Sequence, residues 1–501
     1  VLASIPSATL LGVDGQPVRV EVHVSGGLPC YHVVGLPDAA GRESRERVRA
    51  ALESSEVKFP LQRITVNFAP GNVRKTGAGL ELAVALGLML AESLLPEGCL
   101  DGAGVLGELG LDGSVRPVPG TLVLADALRR TGIETLIVPI GNAIEARLLP
   151  GVKVRAARTL AELRECLKGE LEWPEPDAPS SDPDVEDVFS SEPLDLVDVR
   201  GLATARVALE VAAAGSHHLV LAGPPGTGKT MLARRLPTIL PPLDPDEAFE
   251  VTRIQSVAGG VPPSRLARHR PFRAPHHTAS TAALVGGGSA RPQPGEVTRA
   301  HRGVLFLDEL GEFPPAALDA LRQPLEERVV RISRQASSLE LPAEFLLIAC
   351  TNPCPCGLEA SLCRCSDWQR ARYRRRLSAP LLDRFDLRLR VAGPQPADGP
   401  GEPSELVAVR VLAAVERQRA RLRGTPWRRN AHVPAGALAH YVALTQDVAD
   451  AWRLVVEEHQ LTGRGAARVR RVARTLADLE DVPAITAEHI ALAASLRGEV
   501  P

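Results

Sequence analysis

The chain has 501 residues, of which 45% are hydrophobic and 24% charged, with a formal charge of -2. That length allows two to four domains with separate cores. The near-neutral balance excludes a polycation, so any nucleic-acid contact has to come from local basic clusters. The longest apolar stretch, 78–95, is interrupted by Glu81, Gly87 and Glu92, so it predicts a buried helix and no membrane association.

The opening VLASIPSATLLGVDG carries no basic segment ahead of its apolar residues. No signal peptide is therefore expected, and a cytoplasmic location follows. Residues 1–168 read as one α/β unit. PVRVEVHV (17–24) and RITVNFAP (63–70) alternate as strands do, and helical periodicity follows at 42–54 and 80–92. Residues 169–196 are rich in Pro, Ser and acidic side chains and predict a linker, whose charge would repel DNA.

From 197 to 393 apolar strands alternate with helices, the pattern of a parallel sheet covered on both faces. HLVLAG, GVLFLD and EFLLIAC are its clearest strands. A break at 392–404 precedes a helix-rich region, 394–501, with helical patterns at 405–423 and 464–479.

The most specific signal is GPPGTGKT at 223–230, which follows a strand and opens a helix. Gly223, Pro224, Pro225, Gly226, Thr227 and Gly228 form a loop whose backbone N–H groups curl around phosphate. Lys229 reaches the β- and γ-phosphates of ATP, Thr230 holds Mg²⁺, and Met231 begins the helix. VLFLDE (304–309) places Asp308 at the end of a buried strand to orient the magnesium, and Glu309 where a base polarises water. A third strand ends at Asn352, which can position the same water; a plain turn residue is the competing reading.

Cys354, Cys356, Cys363 and Cys365, four of the eight cysteines, fall within twelve residues. Four thiolates in so short a loop suit tetrahedral Zn²⁺. Redox chemistry and reduced thiols are the alternatives. Two basic runs, 370–376 and 417–429, read either as phosphate contacts or as solvated helix faces.

The segments GLPCYHVVGLPDAAGRESRERVRAAL, RITVNFAPGNVRK, FRAPHHTAS, PGEVTRAHRGVLFLDELGEF, TNPCPCG and LLDRFDL, with the P-loop region, resemble one family over nearly the whole chain. It is the ComM-type, magnesium-chelatase-like AAA+ ATPases. The resemblance implies a P-loop AAA+ core, an N-terminal Lon-protease-like α/β domain and a C-terminal helical lid. It further implies a homo-hexameric ring acting on single-stranded or branched DNA as a branch-migration motor in recombination or natural transformation.

Arg384 matches the family's arginine finger, which reaches a neighbour's nucleotide. Arg464 matches its second sensor arginine, with Arg468 as a competitor. An intradomain salt bridge is the alternative for either. The segment 272–288 and the hairpin-like 329–343, with Arg331 and Arg334, resemble DNA-contacting insertions of ring helicases. Where a Lon peptidase would carry its serine and lysine, this chain has Ala78 and Gly79, and no lysine in 116–128, so no protease activity is expected. Leu202 stands where the family usually has Gln. A chelatase-like metal-inserting ATPase and a protein-remodelling ATPase remain as other readings.

Overall fold

The computed structural model describes residues 2–35, 38–71, 75, 77–176, 194–287, 293–334, 337–358, 362–393 and 399–498. The chain divides into two compact units: one of residues 1–185, 248–267 and 333–339, the other of 186–247, 268–332 and 340–501. Most of the acidic segment, 177–193, lies outside the described residues.

In the first unit, alternating burial along Leu2–Leu11 and Asp14–Ser25 turns one face of an antiparallel pair inward. Arg63–Ala69 continues the sheet antiparallel, and Cys30–Val34 closes it in parallel. The helix Glu81–Ala91 is buried along almost its whole length. It packs against this sheet through Gly87, where a Cβ would stand 2.6 Å from Val22 Cγ2. The glycine that breaks the apolar run in the sequence is thus a point of close helix–sheet approach. A parallel sheet of Ala103–Val105, Thr135–Pro139 and Lys153–Ala157 completes the α/β unit.

Residues 248–267, which the sequence groups with the ATPase core, belong to this first unit. Phe249 packs among its apolar residues, Ser256 hydrogen-bonds the buried Glu145, and Gly120 N–H donates to Ser256 O at 2.9 Å. Alternation of strand and helix alone does not show that a helical excursion leaves its own sheet.

The second unit holds a five-stranded parallel sheet. Its spatial order is Phe272–Arg273, Val304–Leu307, Leu346–Thr351, Leu219–Ala222 and Leu387–Arg390. The first strand in sequence therefore lies between the last two. All strands run the same way, so their C-terminal ends share one edge, the place where open α/β sheets bind ligands. The central strands are apolar throughout because both faces are covered.

The C-terminal helices Ser404–Arg421, Ala449–Glu458, Gly463–Leu479 and Ala487–Ser495 share one hydrophobic core with this sheet. Core and lid, separate on sequence, are a single compact unit for that reason. A buried polar chain runs through it. Asp478, 1% exposed, accepts from Arg421 Nη2 at 2.6 Å, Arg474 Nε at 3.1 Å and Asn430 Nδ2 at 2.8 Å. Asn430 also reaches Thr475 Oγ1 (2.9 Å), which bonds His217 Nε2 (2.8 Å), and His217 Nδ1 stands 3.3 Å from Asp386. Among the described residues, no helix is long and apolar enough to cross a membrane.

Removing the Asp478 carboxylate would strand two guanidiniums. Asp478→Ala should therefore cost about 3–5 kcal/mol of stability, measured by denaturant unfolding.

A pH effect follows from His218, whose Nδ1 accepts from Leu347 N–H at 3.1 Å. Burial pulls its pKa from 6.5 to about 4. The unfolded imidazole takes up a proton below pH ~6.5 that the folded one refuses until about 4. Stability should therefore fall as pH drops through that window, by up to about 1.4 kcal/mol per pH unit for this group. Buried His432, also lowered, adds to the same slope. Unfolding midpoints between pH 7.5 and 5 should show the decline, and His218→Gln should shrink it.

Candidate nucleotide site and four-thiol loop

The strand Leu219–Ala222 delivers the P-loop at the C-terminal edge of the sheet. Gly223 is forced by its neighbour: a Cβ there would stand 2.2 Å from Val391 O. Gly226 and Gly228 hold φ of +80° and +85°, the left-handed region that glycine adopts without steric cost. The helix Lys229–Arg234 starts at the loop's end. Thr227 Oγ1 donates to Pro224 O at 2.9 Å and tightens the curl.

Lys229 is buried, and its Nζ donates to Gly223 O (2.7 Å) and Pro224 O (2.6 Å). Burial lowers its pKa from the ordinary lysine value. A phosphate arriving in the loop would supply the opposite charge this ammonium lacks. Leu202 sits at the site: a Cβ on Gly228 would lie 3.3 Å from Leu202 Cδ1. The departure from Gln therefore puts an apolar side chain against the P-loop backbone. Met231 is 37% exposed at the start of the helix.

Thr230 and Asp308, far apart in sequence, are joined by a hydrogen bond from Thr230 Oγ1 to Asp308 Oδ2 of 2.8 Å. A hydroxyl and a carboxylate oxygen side by side at a P-loop are a hard-oxygen pair suited to Mg²⁺, which keeps several waters and takes few protein ligands. Asp308 Oδ1 accepts from Glu309 N–H at 2.9 Å, which fixes the carboxylate. Glu309 stands at φ +52°, a strained position for a non-glycine residue, and half its side chain is exposed. Its carboxylate lies 3.1 Å from His277 Nδ1. The sequence reading treats His277 as part of a DNA-facing insertion; the HH pair in FRAPHHTAS gave no sign that one ring faces the acid.

Asn352 follows the buried strand Leu346–Thr351 beside the P-loop strand. Thr351 Oγ1 shares a 3.2 Å hydrogen bond with Tyr373 OH. Tyr373 lies against Gly311, where a Cβ would meet its ring at 2.3 Å. The helix Asp367–Arg376 so touches the turn that follows Asp308 and Glu309, and Arg376 Nη1 donates to Gly311 O (3.0 Å) and Glu312 (2.8 Å).

Arg384 is buried elsewhere. It pairs with Glu326 at 2.7 Å and donates to Arg322 O at 3.2 Å and to Pro380 O. None of these partners belongs to the P-loop. Arg464 is exposed on the first turn of Gly463–Leu479, with no ion pair among the described residues. Arg468, one turn later, donates to Asp386 at 2.7 Å and to Arg384 O at 3.2 Å. The competitor for the sensor role is thus engaged inside its own chain.

The four cysteines converge. All four Sγ atoms lie within 4.8 Å of one another. Cys354 is 3.3 Å from Cys356 and 3.5 Å from Cys363, and Cys356 is 3.8 Å from Cys363. Four sulfurs about 2.3 Å from one Zn²⁺ form a tetrahedron with edges of about 3.8 Å. A disulfide needs about 2.05 Å, so these thiols are spaced for a metal and not for a bond. The backbone N–H groups of Leu358 and Arg364 hold the Cys356 thiol down to about 6, while burial pushes its neighbour Cys354 up to about 12. The donors present fit zinc.

Val329–Arg334 and Ser337–Pro342 form a two-stranded ribbon. Arg331 is exposed and pairs with Glu327 and with Glu340 at 3.1 Å. Arg334 ends its strand, and its side chain lies outside the described residues. Of the two basic runs, 417–429 is largely consumed internally: Arg417, Arg419, Arg421 and Arg428 pair with acidic residues. Burial, with Arg270 and Arg419 nearby, brings Arg429 down to about 10.

Three family models match in order: a magnesium chelatase ChlI-subunit domain over residues 20–142, the magnesium chelatase ChlI subunit over 195–398, and its C-terminal domain over 401–497. An uncharacterised protein of Mycobacterium tuberculosis is 42% identical over 98% of this chain and 97% of its own length. The competence protein ComM of Haemophilus influenzae is 38% identical over 100% of this chain and 98% of its own. A partial match, 29% identical over 32% of this chain and 33% of the relative, is to Lon protease 2 of Bacillus subtilis. With its five-stranded P-loop sheet, Lon-like N-terminal domain and helical lid, the chain belongs to the magnesium-chelatase-like ComM family of AAA+ ATPases.

Proposed function

We propose that this chain is an ATP-driven DNA motor that works as a homo-hexameric ring and promotes branch migration in recombination or natural transformation. The observation that carries the reading is the P-loop with Lys229 beside the joined Thr230–Asp308 pair. Arg384 in the structure makes the intradomain salt bridge that was its alternative reading, and its role in trans is part of the proposal. Full-length similarity to a protein named for competence supports DNA as the substrate.

In this reading Lys229 neutralises the β- and γ-phosphates, and the 223–228 backbone cradles them. Thr230 and Asp308 hold Mg²⁺, which supplies charge neutralisation at the transferring phosphoryl group. Glu309 accepts the proton of the attacking water, Asn352 orients that water, and His277 holds Glu309 between turnovers. A neighbouring subunit's Arg384 leaves Glu326 to reach the γ-phosphate, and Arg464 reports the nucleotide to the lid. Arg331 and Arg334 track DNA phosphates on the ribbon. Cys354, Cys356, Cys363 and Cys365 hold one Zn²⁺.

A second reading, an ATPase subunit of a metal-inserting or protein-remodelling complex, is favoured by the magnesium chelatase models that cover the core. ATP hydrolysis with and without single-stranded and branched DNA separates the two. Stimulation by DNA is expected, and a rate indifferent to every DNA form would sink the motor. Glu309→Gln should lower the rate ~100-fold or more.

Mixing Lys229→Ala with Arg384→Ala subunits should restore part of the activity that each lacks alone. No rescue in fully assembled mixtures would count against a shared site.

A further inference from the structure

The four-thiol loop is built into the nucleotide site from three sides. Cys354 lies two residues beyond Asn352, at the end of the strand Leu346–Thr351. Gly357, at φ +75°, faces the P-loop: a Cβ there would stand 3.0 Å from Pro225 Cδ and 3.9 Å from Asn352 Nδ2. Cys365 directly precedes Ser366, whose capping box starts the helix Asp367–Arg376. That helix holds Thr351 through Tyr373 and the turn after Glu309 through Arg376. One metal would therefore tie the sensor strand, the P-loop and the catalytic-acid turn together.

We infer that the metal bound by Cys354, Cys356, Cys363 and Cys365 is a brace for the ATPase site, setting the position of Asn352 and Pro225 and thereby the turnover rate. This rests on the reading of those thiols as a zinc site and of the P-loop region as the hydrolytic site. The segment 354–365 has few large apolar side chains, and among its described residues Leu362 is 67% exposed and Leu358 only half-buried, so they add little packing. Cys354 is buried, but Cys356 is exposed and Cys363 and Cys365 are half-buried, so a metal joining the four would offset an ordering entropy that packing alone covers poorly. Loading replaces whatever protons the four thiols still carry with one Zn²⁺ and releases those protons to solvent, giving a tetrathiolate of charge −2. No electron moves. The brace meets the P-loop only at Pro225, which has no N–H to give a phosphate, and not at Lys229, so ATP affinity depends on it less than hydrolysis does.

The test uses the full chain. Elemental analysis of the purified protein should find about one zinc per chain. Protein made with Co²⁺ in place of zinc should show the visible absorption of a tetrahedral thiolate site. Cys363→Ser/Cys365→Ser should lose the metal, drop kcat at least tenfold and shift the affinity for a fluorescent ATP analogue less than threefold. Cys365→His, which keeps a zinc-competent donor, should restore metal and most of kcat.

Gly357→Ala guards against simple misfolding. It leaves all four thiols, so zinc should stay at one per chain while kcat falls, because the new methyl presses on Pro225. Absence of zinc, together with no cobalt band, would overturn the metal. Zinc present but kcat unchanged in both the double variant and Gly357→Ala would overturn the brace. Lys229→Ala keeps the two readings apart: it should abolish hydrolysis and leave zinc in place. If the wild-type chain itself hydrolyses no ATP, the ATPase reading fails whatever the metal content.

Discussion

Asp386 is the charge on which the geometry of the second unit depends. It is buried at the start of the last sheet strand, 4% exposed, beside Arg468 of the lid and His217 of the helix-to-strand turn. Burial alone would push its pKa up. The Arg468 guanidinium and the His217 hydrogen bond outweigh that and hold it well below the carboxylate range. A paired buried charge of this kind adds little net stability compared with apolar packing, but it does not tolerate a different partner. Its effect is to fix how lid helix and sheet strand meet.

The consequence for the nucleotide site is geometric. Arg468 also donates to the carbonyl of Arg384, so the segment carrying Arg384 is pinned by its backbone while its side chain pairs with Glu326. Arg464 sits one turn earlier on the same helix and has no ion pair among the described residues. The lid thus engages one arginine permanently and presents another. The longer chain through His217, Thr475, Asn430 and Asp478 extends the same constraint across three lid segments. Asp386, His217, Thr475, Asn430 and Asp478 each have hydrogen-bond partners. Among the described residues of this network, only the Nε atoms of Arg421 and Arg468, at its ends, are buried and unpaired, so it rigidifies the core through its centre.

Much of this was legible in the sequence where local pattern and chemistry coincide. The P-loop announces its own strand and helix, and the apolar run before Asp308 places that carboxylate on a sheet edge. The strand order was not legible, because spacing along the chain does not say which strands pair. Nor was the loyalty of 248–267 to the first unit, since Phe249 and Ser256 look like ordinary helix residues until Glu145 faces them. The His277–Glu309 contact and the press of Gly357 on Pro225 are long-range meetings with no periodic signature. The cysteine spacing points to a metal site; only the fold brings the four thiols together beside the P-loop.

The basic runs illustrate why charge counts mislead when burial is unknown. RQRARLRGTPWRR holds six arginines, yet Asp481, Asp244, Asp478 and Glu247 pair with Arg417, Arg419, Arg421 and Arg428, which leaves Arg423 exposed. Arg429 is nine-tenths buried. An arginine already paired with a carboxylate gains less from a phosphate, because the new contact replaces an old one, even where, as at Arg419 and Arg428, the side chain is still partly exposed. The run RARYRRR is divided: Tyr373 and Arg376 are committed to the nucleotide site, while Arg374 and Arg375 are exposed. A polyanion approaching that helix would therefore meet charges on the same short element that carries Tyr373 and Arg376. Any such contact and the turn after Glu309 would then share one short element, because Arg376 holds the Gly311 carbonyl from the same helix.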